Sequence, residues 1–94
     1  MGTVIYLRRM LSWESQWLDV IAEICSITET TIILEGASLF SLNYILSALQ
    51  KRGTIARTFA VDGGYRVTWD TQVDVISYGE VAAIIEKADK VLSF

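Results

Sequence analysis

Apolar positions follow two alternating rhythms along this chain. "TVIYL" (Thr3 to Leu7) is apolar on successive positions, as a strand covered on both faces requires. The period changes in "SWESQWLDVIAEICSIT". Trp17, Leu18, Ile21, Ile24 and Cys25 recur there at three- and four-residue spacing, which makes one apolar face of a helix. Ser12 is the expected N-cap, with Glu14 in the first turn, where the helix dipole favours an acid. "TTIIL" (Thr30 to Leu34) returns to β-branched strand material. Ser38 then stands where it can cap a second helix, with Leu42, Ile45, Leu46 and Leu49 on one face. Lys51 and Arg52 fall in that helix's last turn, and Gly53 sits where a helix-ending glycine is expected. "TIARTFAV" (Thr54 to Val61) and "VDVIS" (Val73 to Ser77) predict the third and fourth strands. Ser77 and Glu80 have capping-box spacing ahead of a third helix, whose inner face is Val81, Ile84, Ile85 and Ala88. "KVLSF" predicts a fifth strand.

Strand and helix alternate with short connections. The expected fold is therefore α/β, with a mainly parallel sheet of four or five strands and right-handed crossovers. One segment admits a second reading. In "TFAVDGGYRVTW" an Asp-Gly pair separates two alternating runs, which is a hairpin signal. A hairpin there would make the fold a two-layer α+β sandwich.

Composition sharpens the picture in a few respects. Ninety-four residues predict a single domain over 1–94. Half of them, 52%, are hydrophobic, and a chain this short has much surface for its volume, so an oligomer is expected. No apolar run reaches the roughly 18–20 residues of a membrane span. The N-terminal stretch lacks a small-residue cleavage site, and Tyr6 stands where a myristoylation pattern needs Ser or Thr. A lone cysteine excludes an internal disulfide and fits a reducing compartment, so a cytoplasmic protein with no membrane association is expected. The net charge of −3 argues against direct nucleic-acid binding. Arg8-Arg9 and Lys51-Arg52 read as solvated ends of elements. With no histidine and one cysteine, no metal site is expected. No glycine-rich phosphate loop is present either, so no cofactor is expected.

Candidate chemistry is sparse. In "TIILEGASLFSL" an acid and a glycine, Glu35 and Gly36, close a buried strand, and ligand sites of open α/β sheets lie outside the carboxyl ends of strands. Gly36 either supplies the backbone freedom of a tight turn or marks, with Glu35, Ala37 and Phe40, a contact surface. Cys25 is the one soft nucleophile. It either packs as a small hydrophobe or carries sulfur chemistry, although the carboxyl end of a helix disfavours a thiolate. Trp69, in a polar stretch, is an expected interface anchor. "SLFSLNYILSALQKRGTIARTFAVDGGYRV" also admits a winged-helix, DNA-binding regulator. Against that, the β-branched "TETTIILEG" stands where the preceding helix belongs.

The order of these features resembles the DsrH/TusB family of the DsrE/DsrF/DsrH sulfur-relay superfamily over nearly the whole chain. The resemblance rests on the opening strand and Ser-x-Glu helix start of "RMLSWES". It rests also on the strand, acid-glycine pair and apolar run of "IILEGASLFSL", and on "VDVISYGEVAAIIEKADKVLSF" with its tyrosine-marked turn, helix and closing strand. It implies a flavodoxin-like three-layer sandwich and makes "DGGYRVTWD" the connection between strands three and four. It also implies an accessory, largely structural subunit that joins DsrE/TusD-type and DsrF/TusC-type sisters in a hetero-oligomer. Such assemblies pass persulfide sulfur along cysteines toward tRNA wobble-uridine 2-thiolation or sulfur oxidation, and the main accepting cysteine belongs to a sister subunit. The alternative within the resemblance is a sulfurtransferase that uses Cys25 as persulfide carrier. On an ungapped match, the first-helix cysteine of some members falls near Val20.

Overall fold

The computed structural model describes residues 2–61 and 73–94. Strand β1 (Thr3–Leu7) leads to helix α1 (Gln16–Ile27), and strand β2 (Thr30–Leu34) to a 3-10 helix (Gly36–Ser41) that runs into α2 (Leu42–Lys51). Strands β3 (Arg57–Val61) and β4 (Asp74–Ile76), helix α3 (Tyr78–Lys87) and strand β5 (Lys90–Ser93) complete the order. All four strand pairings are parallel, and the sheet order is β4-β3-β2-β1-β5.

The layers follow from handedness. From β1 to β3 the chain steps one way across the sheet, so right-handed crossovers put α1 and α2 on one face. From β4 it crosses back to the far edge, and the same hand puts α3 on the other face. The core divides accordingly. Ile5, Leu7, Ile32 and Leu34 meet Leu18, Ile21, Ile45 and Leu49 of α1 and α2. Val4, Ile33, Val61 and Ile76 meet Val81 of α3. Alternate residues of β1 and β2 thus serve opposite layers, which explains why Val4 and Ile5, and Ile32, Ile33 and Leu34, are apolar on successive positions. The result is a three-layer α/β sandwich with an all-parallel sheet, wound in the order 4-3-2-1-5 where flavodoxin itself has 2-1-3-4-5.

Two alternatives fall away here. One edge of β3 pairs with β2 and the other with β4, both in parallel, so β3 is not half of a hairpin and the two-layer α+β reading does not hold. The winged-helix reading needs a helix ahead of α2, where β2 stands.

Some helix starts differ from expectation. Ser15, not Ser12, caps α1: its hydroxyl accepts from the Trp17 N–H at 3.2 Å. Trp13 and Glu14 form a turn, closed by the Ser15 N–H donating to the Ser12 carbonyl, so Glu14 lies outside the helix and Asp19 is the acid of its first turn. Ser38 is no cap either. It lies within the 3-10 helix, fully buried, with its hydroxyl directed back at β1. Trp17, expected in the core, is 44% exposed and packs on Phe94 with ring centroids 5.2 Å apart. The capping box of Ser77 and Glu80 on α3 is present in both directions. Gly53 ends α2 at φ 63°.

Candidate functional site at the carboxyl ends of the strands

β1 and β2 deliver Tyr6 and Glu35 to the same end of the sheet, and α3 starts beside them. Glu35 immediately follows β2, where its N–H donates to the Leu7 carbonyl at 2.9 Å. Its side chain points to the α3 side. There Tyr6 donates its hydroxyl to Oε2, and Tyr78, the first residue of α3, donates to Oε1 at 2.6 Å. One carboxylate therefore ties together three elements that are far apart in sequence.

The electrostatics follow from this geometry. The two phenol donors, Tyr6 first, hold the Glu35 carboxyl below the usual carboxylate range, and Arg8 nearby adds to the effect. Burial, then the hydrogen bond to Glu35, pushes Tyr6 up to about 12. Tyr78 is raised too, chiefly through its bond to Glu35. The carboxylate is thus ionised and both phenols are neutral donors at neutral pH. Arg8 also lies over the Tyr6 ring, 5.9 Å from its centroid. The carboxylate and its two phenol donors thus form one hydrogen-bonded cluster that joins β1, the end of β2 and α3.

Gly36 follows at φ 61°, a left-handed conformation that favours glycine. A Cβ built there would meet nothing within 4 Å, so the conformation alone selects the residue. The turn admits the 3-10 helix, in which side chains three apart eclipse. Ser38 and Ser41 use that alignment. The Ser38 hydroxyl lies 2.7 Å from the Leu7 carbonyl and 2.8 Å from the Glu35 carbonyl and shares its one proton between them. The Ser41 hydroxyl accepts from the Leu11 N–H at 2.5 Å and donates to the Leu11 carbonyl at 3.1 Å. Two buried hydroxyls thereby fasten the segment leaving β1 to the segment leaving β2.

The expected site residues separate under this geometry. Glu35 and Gly36 do stand at a strand end, with Ala37 and Phe40 exposed on the 3-10 helix just beyond, Phe40 at 55%. Cys25 is elsewhere, on the inner face of α1, 8% exposed, with its thiol pushed up by burial. Trp69 lies outside the described residues. Pattern reading missed Tyr6 and Tyr78 as partners of Glu35 and missed the inward-turned serines. Tyr6 sets a phenol within the otherwise aliphatic stretch Val4 to Leu7, which was the available signal. Among the described residues no three metal-ligating side chains come together, and no helix is long and apolar enough to cross a membrane. No protein-family model matches the chain, and no curated protein matches it.

Proposed function

We propose that the chain is an accessory subunit of a sulfur-relay complex of the DsrE/DsrF/DsrH type, one that holds sister subunits in place and does not itself carry persulfide. The three-layer parallel sandwich is the architecture the family resemblance implies. The observation that carries the scaffold reading is the state of the chain's single thiol. Cys25 is 8% exposed and packs with Leu18, Ile21 and Ala22 in the layer under α1. Burial disfavours its thiolate, the form that attacks a persulfide. A fold of this kind with its sulfur out of reach is suited to assembly.

Loading with a cysteine desulfurase and cysteine, followed by intact mass measurement, tests the point. The isolated chain should gain no sulfur. A complex reconstituted with DsrE-type and DsrF-type sisters should transfer sulfur equally well with wild type and Cys25→Ala. A stoichiometric adduct on the wild type, absent from Cys25→Ala, would establish the sulfurtransferase instead. Failure of the sister subunits to bind at all would remove the relay assignment.

A further inference from the structure

α1 and α2 follow neighbouring strands of a parallel sheet, so they run side by side in the same direction, in contact with each other. Between the start of α1 and the length of α2 lies a cleft of about 370 Å³, within the size range of small-ligand sites. Its α2 wall is the stripe from Tyr44 through Ala48 to Lys51, spaced four and three residues apart and so on one flank of the helix. Its α1 wall is Leu18, buried, and Asp19, with Trp13 and Glu14 in the turn ahead.

Two features distinguish this cleft from an ordinary groove between helices. The first is aromatic. Trp13 is 68% exposed and Tyr44 39%, so two large rings border the cleft and not the core. They are not stacked on each other: among the described residues the ring contact is Trp17 with Phe94. A flat body entering between them gains two aromatic faces. The second is charge. Among the described residues the side chains of Glu14, Asp19 and Lys51 have no ionic partner, while Arg52 is taken by Glu23. Asp19 and Tyr44 stand in the first turns of their helices and Lys51 in the last turn of α2. Seven residues separate Tyr44 from Lys51, about 10 Å along the axis. The cleft is therefore negative at its aromatic end and positive at the other, and its own charges do not pair across it.

The geometry points to a short peptide with free ends and an aromatic first residue as the ligand of this cleft. Glu14 and Asp19 meet its ammonium, Trp13 and Tyr44 its first ring, and Lys51 its carboxylate. An extended chain covers about 3.3–3.6 Å per residue, so three residues match the span of roughly 10 Å. A single amino acid does not reach both ends. A peptide lying the other way would set its carboxylate against Glu14 and Asp19, so charge fixes the direction as well as the class. Each of these groups is open to solvent and contributes little alone; selectivity comes from requiring both termini and the ring together. The site is independent of the sulfur-relay reading.

Titration of the isotope-labelled chain with Phe-Gly-Gly, followed by nuclear magnetic resonance, is the test. The Trp13 indole N–H and the backbone amides from Tyr44 to Lys51 should shift in a saturable manner, with a dissociation constant below about 1 mM. N-acetyl-Phe-Gly-Gly, Phe-Gly-Gly amide and Gly-Gly-Gly should each bind at least tenfold more weakly. Lys51→Glu should weaken Phe-Gly-Gly at least tenfold and should not weaken the amide further. Lys87→Glu, on α3 across the sheet, should change neither. The inference is overturned by the absence of saturable shifts up to about 10 mM peptide. Blocked peptides that bind as well as the free one overturn it too, as does a Lys51→Glu variant that binds Phe-Gly-Gly like wild type.

Discussion

Glu35 and Gly36 adjoin in sequence yet answer to different physics, and substitution separates them. Gly36→Val places a β-branched side chain at φ 61°, and the left-handed region alone costs an L-residue about 2 kcal/mol. Space is not the obstacle, since nothing lies within 4 Å of the added Cβ. Urea unfolding should report that loss as a lower midpoint. Glu35→Gln keeps an acceptor oxygen for one phenol, while its NH2 can only donate to the oxygen of the other, and the group lies near solvent, so its cost should stay below about 1 kcal/mol. Its signature is in titration. The folded-state pKa of Tyr6, about 12, stands above its ordinary value of 10.0, so its contribution to stability is complete below about pH 10 and is lost as pH rises toward 12. Removing the Glu35 charge should bring the tyrosinate absorbance of Tyr6 to lower pH. Equal stability losses for the two changes, or an unmoved titration, would contradict this division.

Caps offer the corresponding contrast among the elements. Ser15→Ala removes the hydroxyl that holds the Trp17 N–H and should cost about 1 kcal/mol. Ser12→Ala removes no side-chain cap and should fall within about 0.5 kcal/mol of zero. Thermal melts of the two variants decide between the observed start of α1 and the one its sequence suggested. The misplacement has a physical source. Ser12 and Ser15 are both capping residues, and only the path out of β1, tied down by the Ser41 hydroxyl at Leu11, determines which is in position to cap. The strand–helix alternation was legible because apolar period is a local property: Ile32 and Leu34, or Ile45 and Leu49, declare their element through near neighbours. The capping box of α3 was legible for the same reason. The Tyr6–Glu35–Tyr78 cluster was not, because its members come from β1, from beyond β2 and from α3, and no local pattern records which strand lies next to which. Cys25 could be placed on an inner face from spacing alone. Trp17 could not, since its spacing reads as core and only the three-dimensional position of Phe94 explains where its ring packs.

At the scale of the whole molecule, the same strand order that builds the sandwich governs how it must be made. Thr3 pairs with Lys90, and Tyr6 with Ser93, so β1 gains one of its two neighbours from the far end of the described chain. β1 and β2, by contrast, are joined through α1 alone, and their register runs from Thr3–Thr30 to Leu7–Leu34. Closing a short loop costs less entropy than closing a long one, so β1, α1 and β2 can assemble before β5 arrives. Ile32→Ala, in the early unit, should slow folding as well as destabilise by about 2–5 kcal/mol. Leu92→Ala, in the strand that docks last, should leave the folding rate nearly unchanged and speed unfolding. Stopped-flow measurements on both variants would show it, and a slowed folding limb for Leu92→Ala would place β5 in the nucleus. During synthesis the consequence is a waiting period. One edge of β1 is bare from the time it leaves the ribosome until β5 has followed, and throughout that interval the nascent chain offers an apolar strand to any other that passes.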